Sequence, residues 1–196
     1  MDLFLDICQG LGLGASAGVR PFLPALATGA FAAADWGIDF DGTSYAFLES
    51  PVWLAAVAVL MVLTFVLRRG ADPSGPFDAA IAGIGVGLGA LFFAGTLADH
   101  GHTGWAATLG GLLGGAAAAL LAQAATRDLV TRTARRLDAA ARAALPLYFE
   151  GVALVLAVLS VVIPPIALLV LPFLGWLLAG GRRREGGKYA GLRILR

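Results

Sequence analysis

The stretch GLGLGASAGVRPFLPALATGAF, residues 10–31, is apolar except for a single guanidinium, Arg20, with Pro21 directly after it and Pro24 three residues beyond that. A run of this length has the reach of a membrane-crossing helix, which needs about 20 apolar residues. A charge at membrane depth costs roughly 2.5–3.5 kcal/mol on insertion scales, so Arg20 needs a partner, a water-filled cavity or a function. The residue before a proline is pushed out of helical geometry, and the proline leaves a carbonyl unpaired one turn back. The spacing therefore predicts a helix that ends near Gly18 and restarts at Pro21 or Phe22. The second half-helix would turn its unsatisfied N–H groups and positive dipole end toward the guanidinium. With Ser16, Gly18 and Pro21 beside it, Arg20 then has the chemistry of an anion receptor, suited to a carboxylate, a phosphate or a lipid headgroup.

The rest of the chain has the same solvent preference. Of its 196 residues 59% are hydrophobic and 14% charged, with a mean hydropathy of +0.83, too few charges to cover a soluble surface. Apolar runs at 3–34, 51–67, 77–98 and 104–125 are long enough to cross a bilayer. The run 147–180 is too long for one helix and holds Pro164 and Pro165 near its middle, so it reads as a hairpin of two short arms. The predicted fold is all-α: one integral membrane domain over 1–196, a polytopic bundle of about six spans, five being the alternative, with the first span broken near Arg20–Pro21.

Charge placement orders those spans. Arg68 and Arg69, then Arg127, Arg132, Arg135, Arg136 and Arg142, then Arg182, Arg183, Arg184, Lys188, Arg193 and Arg196 follow the second, fourth and last runs. Asp35, Asp39, Asp41, Glu49 and Asp99 occupy the other connections. Six crossings bring every basic segment to one side, as the positive-inside rule requires, with both termini cytoplasmic. The start, MDLFLD, is acidic where a secretory signal is basic, so the first apolar segment is expected to stay. Residues 127–144 read either as a cytoplasmic amphipathic helix or as a solvated connecting helix, and 182–196 as a basic cytoplasmic tail.

Gly10, Gly14 and Gly18 fall four apart, as do Gly85 and Gly89, and Gly110/Gly114 run beside Gly111/Gly115. Such rows are packing seams, because small residues let helix backbones approach in lipid. An echo at an offset near a hundred residues, Gly10/Gly14/Gly18 against Gly110/Gly114/Ala118, reads either as chance or as an inverted-topology repeat. The Gly-rich stretches lack the strand-loop-helix unit of a dinucleotide site.

Asp99 and Glu150 are the candidate counter-ions for Arg20, with Asp6 and Asp78 nearer the ends of their spans; snorkelling of Arg20 to an interface is the other reading. Glu150 also reads as a protonatable coupling residue or an interfacial glutamate. Asp99-His100-Gly101-His102 offers a metal scrap or a proton relay, against a solvated loop; no third histidine or cysteine completes a metal site. The one cysteine, Cys8, excludes an intramolecular disulfide, and a net charge of +1 gives no nucleic-acid field. No nucleophile, base and orienting group stand together, so catalysis, a cofactor or a metal has no positive support.

GLGLGASAGVRPFLPALATG, FLESPVW and the terminal KYAGLRILR resemble the bacterial membrane-protein family called domain of unknown function 4126, over the whole chain. The resemblance implies a bacterial cytoplasmic-membrane protein and supplies no activity. The expected function is a small transporter or permease-like protein in the lipid bilayer, oligomeric, that takes an anionic solute or lipid headgroup at Arg20, Ser16, Gly18, Pro21, Asp99 and Glu150. The competing class is a noncatalytic scaffold or assembly protein with Arg20 as a structural counter-ion.

Overall fold

In the computed structural model, which describes residues 3–67, 75–134 and 136–190, the apolar runs become seven helices, with no strand among the described residues. They are α1 (Leu3–Val19), α2 (Phe22–Ala32), α3 (Pro51–Leu67), α4 (Pro76–Asp99), α5 (Trp105–Ala134), α6 (Ala139–Val162) and α7 (Ala167–Ala190). Several boundaries result from local chemistry. Pro51 and Pro76 open α3 and α4, where a missing N–H costs nothing. Asp138 caps α6 by accepting from the Ala141 N–H at 2.7 Å. Pro164 and Pro165 force a short 3-10 turn, Pro164–Ile166, between α6 and α7. The helices Pro76–Asp99 and Trp105–Ala134, and the stretch Ala144–Val162 of α6, are long and apolar enough to cross a membrane; α1, α2, α3 and Pro164–Gly180 are apolar but shorter.

α1 is the axis of the bundle, packed against α4, α5 and α6. Its glycines set how close those neighbours come. A Cβ at Gly14 would lie 3.1 Å from the Gly115 oxygen and 3.4 Å from the Gly89 oxygen, so three helices meet there backbone to backbone. Such pairs also fix the register. Gly14 faces Gly115 and Gly18 faces Ala119, so α1 runs parallel to α5; Gly14 faces Gly89 and Ala17 faces Gly85, so α1 is antiparallel to α4. The parallel pairing of α1 with α5 removes the inverted-topology reading of the glycine echo, which needs those two helices to run in opposite directions.

The helix breaks at Arg20–Pro21, as the prolines predict, but α2 does not continue the crossing that α1 begins. The Gln9 side-chain amide donates to the Gly37 carbonyl at 2.8 Å, and a Cβ at Gly37 would meet Val161 near the end of α6. Gly37 lies just beyond α2, so α2 carries the chain back to the level of the first turns of α1. The first apolar run is therefore a helical hairpin with Arg20 at its tip.

One end of the bundle gathers the start of α1, residues 33–50, the α4–α5 turn and Pro164–Ile166. There the Asp39 N–H donates to Asp99 at 3.2 Å, and Phe40 is fully buried against Gly95. α7 runs away from this acidic end: its residues 170–177 share an apolar groove of about 270 Å³ with Val19, Ala125 and Leu129. The start of α1 and the groove-lining residues 170–177 of α7 thus lie toward opposite ends of the bundle. Residues 127–144 are not one helix. They are the end of α5, a turn over 136–138 and the start of α6, because Asp138 caps a new helix. The basic tail is helical through Ala190 as a continuation of α7; residues 191–196 lie outside the described residues.

α3 sits at the periphery. Val52, Val59, Val62, Phe65 and Val66 on it are all more than half exposed, an apolar face that suits lipid and not water.

Candidate functional site

Two polar places interrupt the apolar bundle. The first is the hairpin tip. The Arg20 N–H still donates to the Ser16 carbonyl at 3.1 Å, completing the last turn of α1, and the Ala25 N–H donates to Pro21 at 3.2 Å, the first bond of α2. The whole change of direction thus falls on the Arg20–Pro21 junction, as the proline rule demands. Arg20 is half-buried.

The residues expected beside it divide. Ser16 is fully buried and donates to the Leu13 carbonyl at 2.7 Å, so its hydroxyl proton is spent within α1. Gly18 lies flat on the backbone of Ala119, so it is a packing contact with no room for a ligand. Asp99 is at the other end of α1. Asp6, which shares its neighbourhood, precedes Arg20 by 14 residues, a rise of roughly 20 Å. Glu150 stays in range. Gly12 faces Ser160, and Val19 shares a groove with Phe149 and Val152, so the antiparallel α1–α6 register puts Glu150 within a turn of Arg20's level. The parallel register with α5 adds Gln123, which donates to the Ala82 carbonyl at 3.1 Å. Gln123 belongs to no motif in the sequence; a glutamine in an Ala- and Leu-rich span is the signal it offers.

The second place is the acidic end. Asp6 is fully buried and meets two imidazoles from the α4–α5 turn: His102 Nε2 at 2.9 Å from Oδ2 and His100 Nε2 at 3.6 Å from Oδ1. Both rings reach it because Gly101, at φ +79°, doubles the chain back between them. His100 Nδ1–H donates to the Thr96 carbonyl at 2.9 Å and lies 3.7 Å from Asp99. Asp99 in turn holds the Asp39 N–H, while Glu49 accepts from the Phe40 N–H at 3.1 Å. Burial pushes the Glu49 carboxyl above its usual range; the Phe40 bond opposes this, and Asp39, Asp41 and Asp35 add to it. The loop over this end is thus tied to the bundle through Gly37 and Asp39, and the Phe40–Glu49 bond closes it on itself. Sequence spacing offers Asp-His-Gly-His alone; its carboxylate partner, 96 residues earlier, stands out there only as a counter-ion for Arg20. No set of three or more metal-ligating side chains converges among the described residues.

The family model described as Domain of unknown function (DUF4126) matches residues 7–184. The chain belongs to that family. The match runs from the first turns of α1 into the last third of α7, so the hairpin, the glycine seam and both histidines are part of the DUF4126 region. No curated protein and no solved structure matches the chain.

Proposed function

We propose that this DUF4126 protein is a multi-pass protein of a bacterial cytoplasmic membrane, a small transporter or permease-like protein whose re-entrant hairpin presents Arg20 to an anionic solute or lipid headgroup. The observation that carries this reading is the hairpin itself. A half-buried guanidinium stands where α1 stops and the N-terminus of α2 begins, and broken helices of this kind hold substrates in many transporters. Gln123 and Glu150, at a similar depth, would complete a polar layer. In this reading the basic end faces the cytoplasm and the acidic end faces out. That satisfies the positive-inside rule with five crossings and a start outside.

The scaffold reading is favoured by a different observation: Ser16 and Gly18 are consumed by packing, so the hairpin is held as a rigid wedge. Native mass spectrometry of the purified protein with phosphatidylglycerol and with phosphatidylcholine, alongside phosphate uptake into liposomes, separates the two. The anion reading expects preferential retention of phosphatidylglycerol or uptake of phosphate, lost in Arg20→Ala and not restored in Arg20→Lys, because a point charge does not replace a fixed fork of donors. An Arg20→Ala protein of normal abundance with unchanged preference and uptake would sink it.

A further inference from the structure

We propose that Asp6, His100 and His102 form a proton-binding site, independent of the Arg20 reading. Donors and acceptors do not balance there. The Thr96 carbonyl can only accept, so His100 Nδ1 carries a hydrogen. In a neutral ring Nε2 then bears a lone pair, and that lone pair faces Asp6 Oδ1 across 3.6 Å. Oδ1 is buried and receives no hydrogen bond, while Oδ2 is served by His102 at 2.9 Å. Two acceptors therefore confront each other inside the bundle, a costly arrangement for a buried carboxylate.

One proton from water, placed on Nε2, converts the confrontation into a charge-assisted N–H···O bond. No other bond breaks, and the site gains one positive charge. Two further carboxylates stand near the ring. α4 contributes Asp99 at 3.7 Å from His100 Nδ1, and the loop after α2 contributes Asp39, whose backbone is bonded to Asp99. The Pro164–Ile166 turn, which packs against α1 at this end, carries no charged side chain. His102, 31% exposed, gives the site its contact with water. Occupancy would tighten the tie between the start of α1 and the α4–α5 turn, which also anchors the loop 33–50 through Asp99.

The chain has two histidines, so a tag-free, 15N-histidine-labelled sample in nanodiscs reports each ring. The site predicts that one imidazole is protonated on both nitrogens in neutral buffer and that Asp6→Asn abolishes this. It also predicts proton-linked stability. A folded state that binds the extra proton gains on the unfolded chain as pH falls, by up to about tenfold in the folded-to-unfolded ratio per pH unit for one proton. Wild type should therefore unfold at a higher temperature at pH 6 than at pH 8, about the histidine range, and His100→Gln should be flat across that interval. Two neutral rings whose spectra ignore Asp6→Asn would overturn the proposal. A His100→Gln protein with the wild-type pH dependence would overturn it as well.

Discussion

Replacing Gly18 with alanine tests whether the α1–α5 contact is backbone packing or an open face. The new Cβ would stand 2.5 Å from Ala119 Cα and 2.6 Å from its carbonyl carbon, where ordinary contact begins at 3.4 Å. The obstacle is backbone, so no side chain can swing aside, and α1 and α5 must part locally by about 1 Å. A gap of that size forfeits a quarter to a half of the dispersion of each facing atom. Gly14 on Gly115, one turn along the same seam, is loosened with it. Over-packing of this kind costs about 1–3 kcal/mol, and the unyielding neighbour puts Gly18→Ala near the top of that range. Alanine's helix preference over glycine returns roughly 0.5–1 kcal/mol, leaving a net loss of about 2 kcal/mol. For a chain of this size that is a fall of roughly 4–8 °C in unfolding temperature. Gly110→Ala is the internal control: it has the same chemistry and the same helical setting, but nothing within 4 Å of the new methyl. It should leave stability unchanged or raise it by up to about 1 kcal/mol. Equilibrium unfolding in mixed micelles, read by circular dichroism, measures both. If Gly18→Ala proved as stable as Gly110→Ala, the packed seam would be wrong, and Gly18 would return as a candidate ligand contact.

Gln9→Leu removes the donor to the Gly37 carbonyl and should destabilise the protein by about 0.5–1.5 kcal/mol in the same unfolding assay; a loss no larger than in a surface control would mean that the hairpin is not tied through Gln9. Glu49 keeps its proton to higher pH folded than unfolded, so its burial lowers stability as pH rises from the ordinary value of 4.5 through the raised folded value. Glu49→Gln keeps an acceptor for Phe40 and should flatten that decline, visible as unfolding temperature plotted between about pH 4 and pH 7; an unchanged slope would show that other carboxylates set it. Gly101→Ala places a side chain at φ +79° and should cost about 1 kcal/mol while moving His100 and His102 apart. Its histidine 15N spectrum should therefore lose the dependence on Asp6, and a wild-type spectrum would count against the turn geometry.

Most element boundaries could be read from local chemistry. Apolar runs of span length, Pro76 at the head of α4 and the Pro164–Pro165 interruption each act within a few residues, where covalent geometry and the missing N–H decide the outcome. The break at Arg20–Pro21 was legible for the same reason. Its sense was not: a proline shows that a helix stops, but the direction of the next helix depends on what packs against it. Here Gly37 bonding to Gln9 and Phe40 filling the space over Gly95 draw α2 back. The charge pattern groups the basic segments, yet it does not say whether the first run crosses or turns back. A re-entrant hairpin and a full crossing have the same composition. The candidate site divided similarly. Arg20 stands out by its cost, whereas the burial of Ser16 and the packing of Gly18 on Ala119 depend on helix contacts that proximity in sequence does not show.

By itself the sequence determined the solvent and the class: hydropathy sustained over span-length runs leaves the backbone no partners in lipid except its own, so the chain is helical. It determined too most of the places where helices start and stop. Only the tertiary structure decided that Arg20 sits at the tip of a hairpin, that α1 lies parallel to α5 on a backbone seam, and that Asp6 meets His100 and His102, 94 and 96 residues further along the chain. The physical reason is reach. Proline and hydropathy act through a residue's immediate neighbours, whereas close packing and buried hydrogen bonds depend on which surfaces meet, and no single segment contains that.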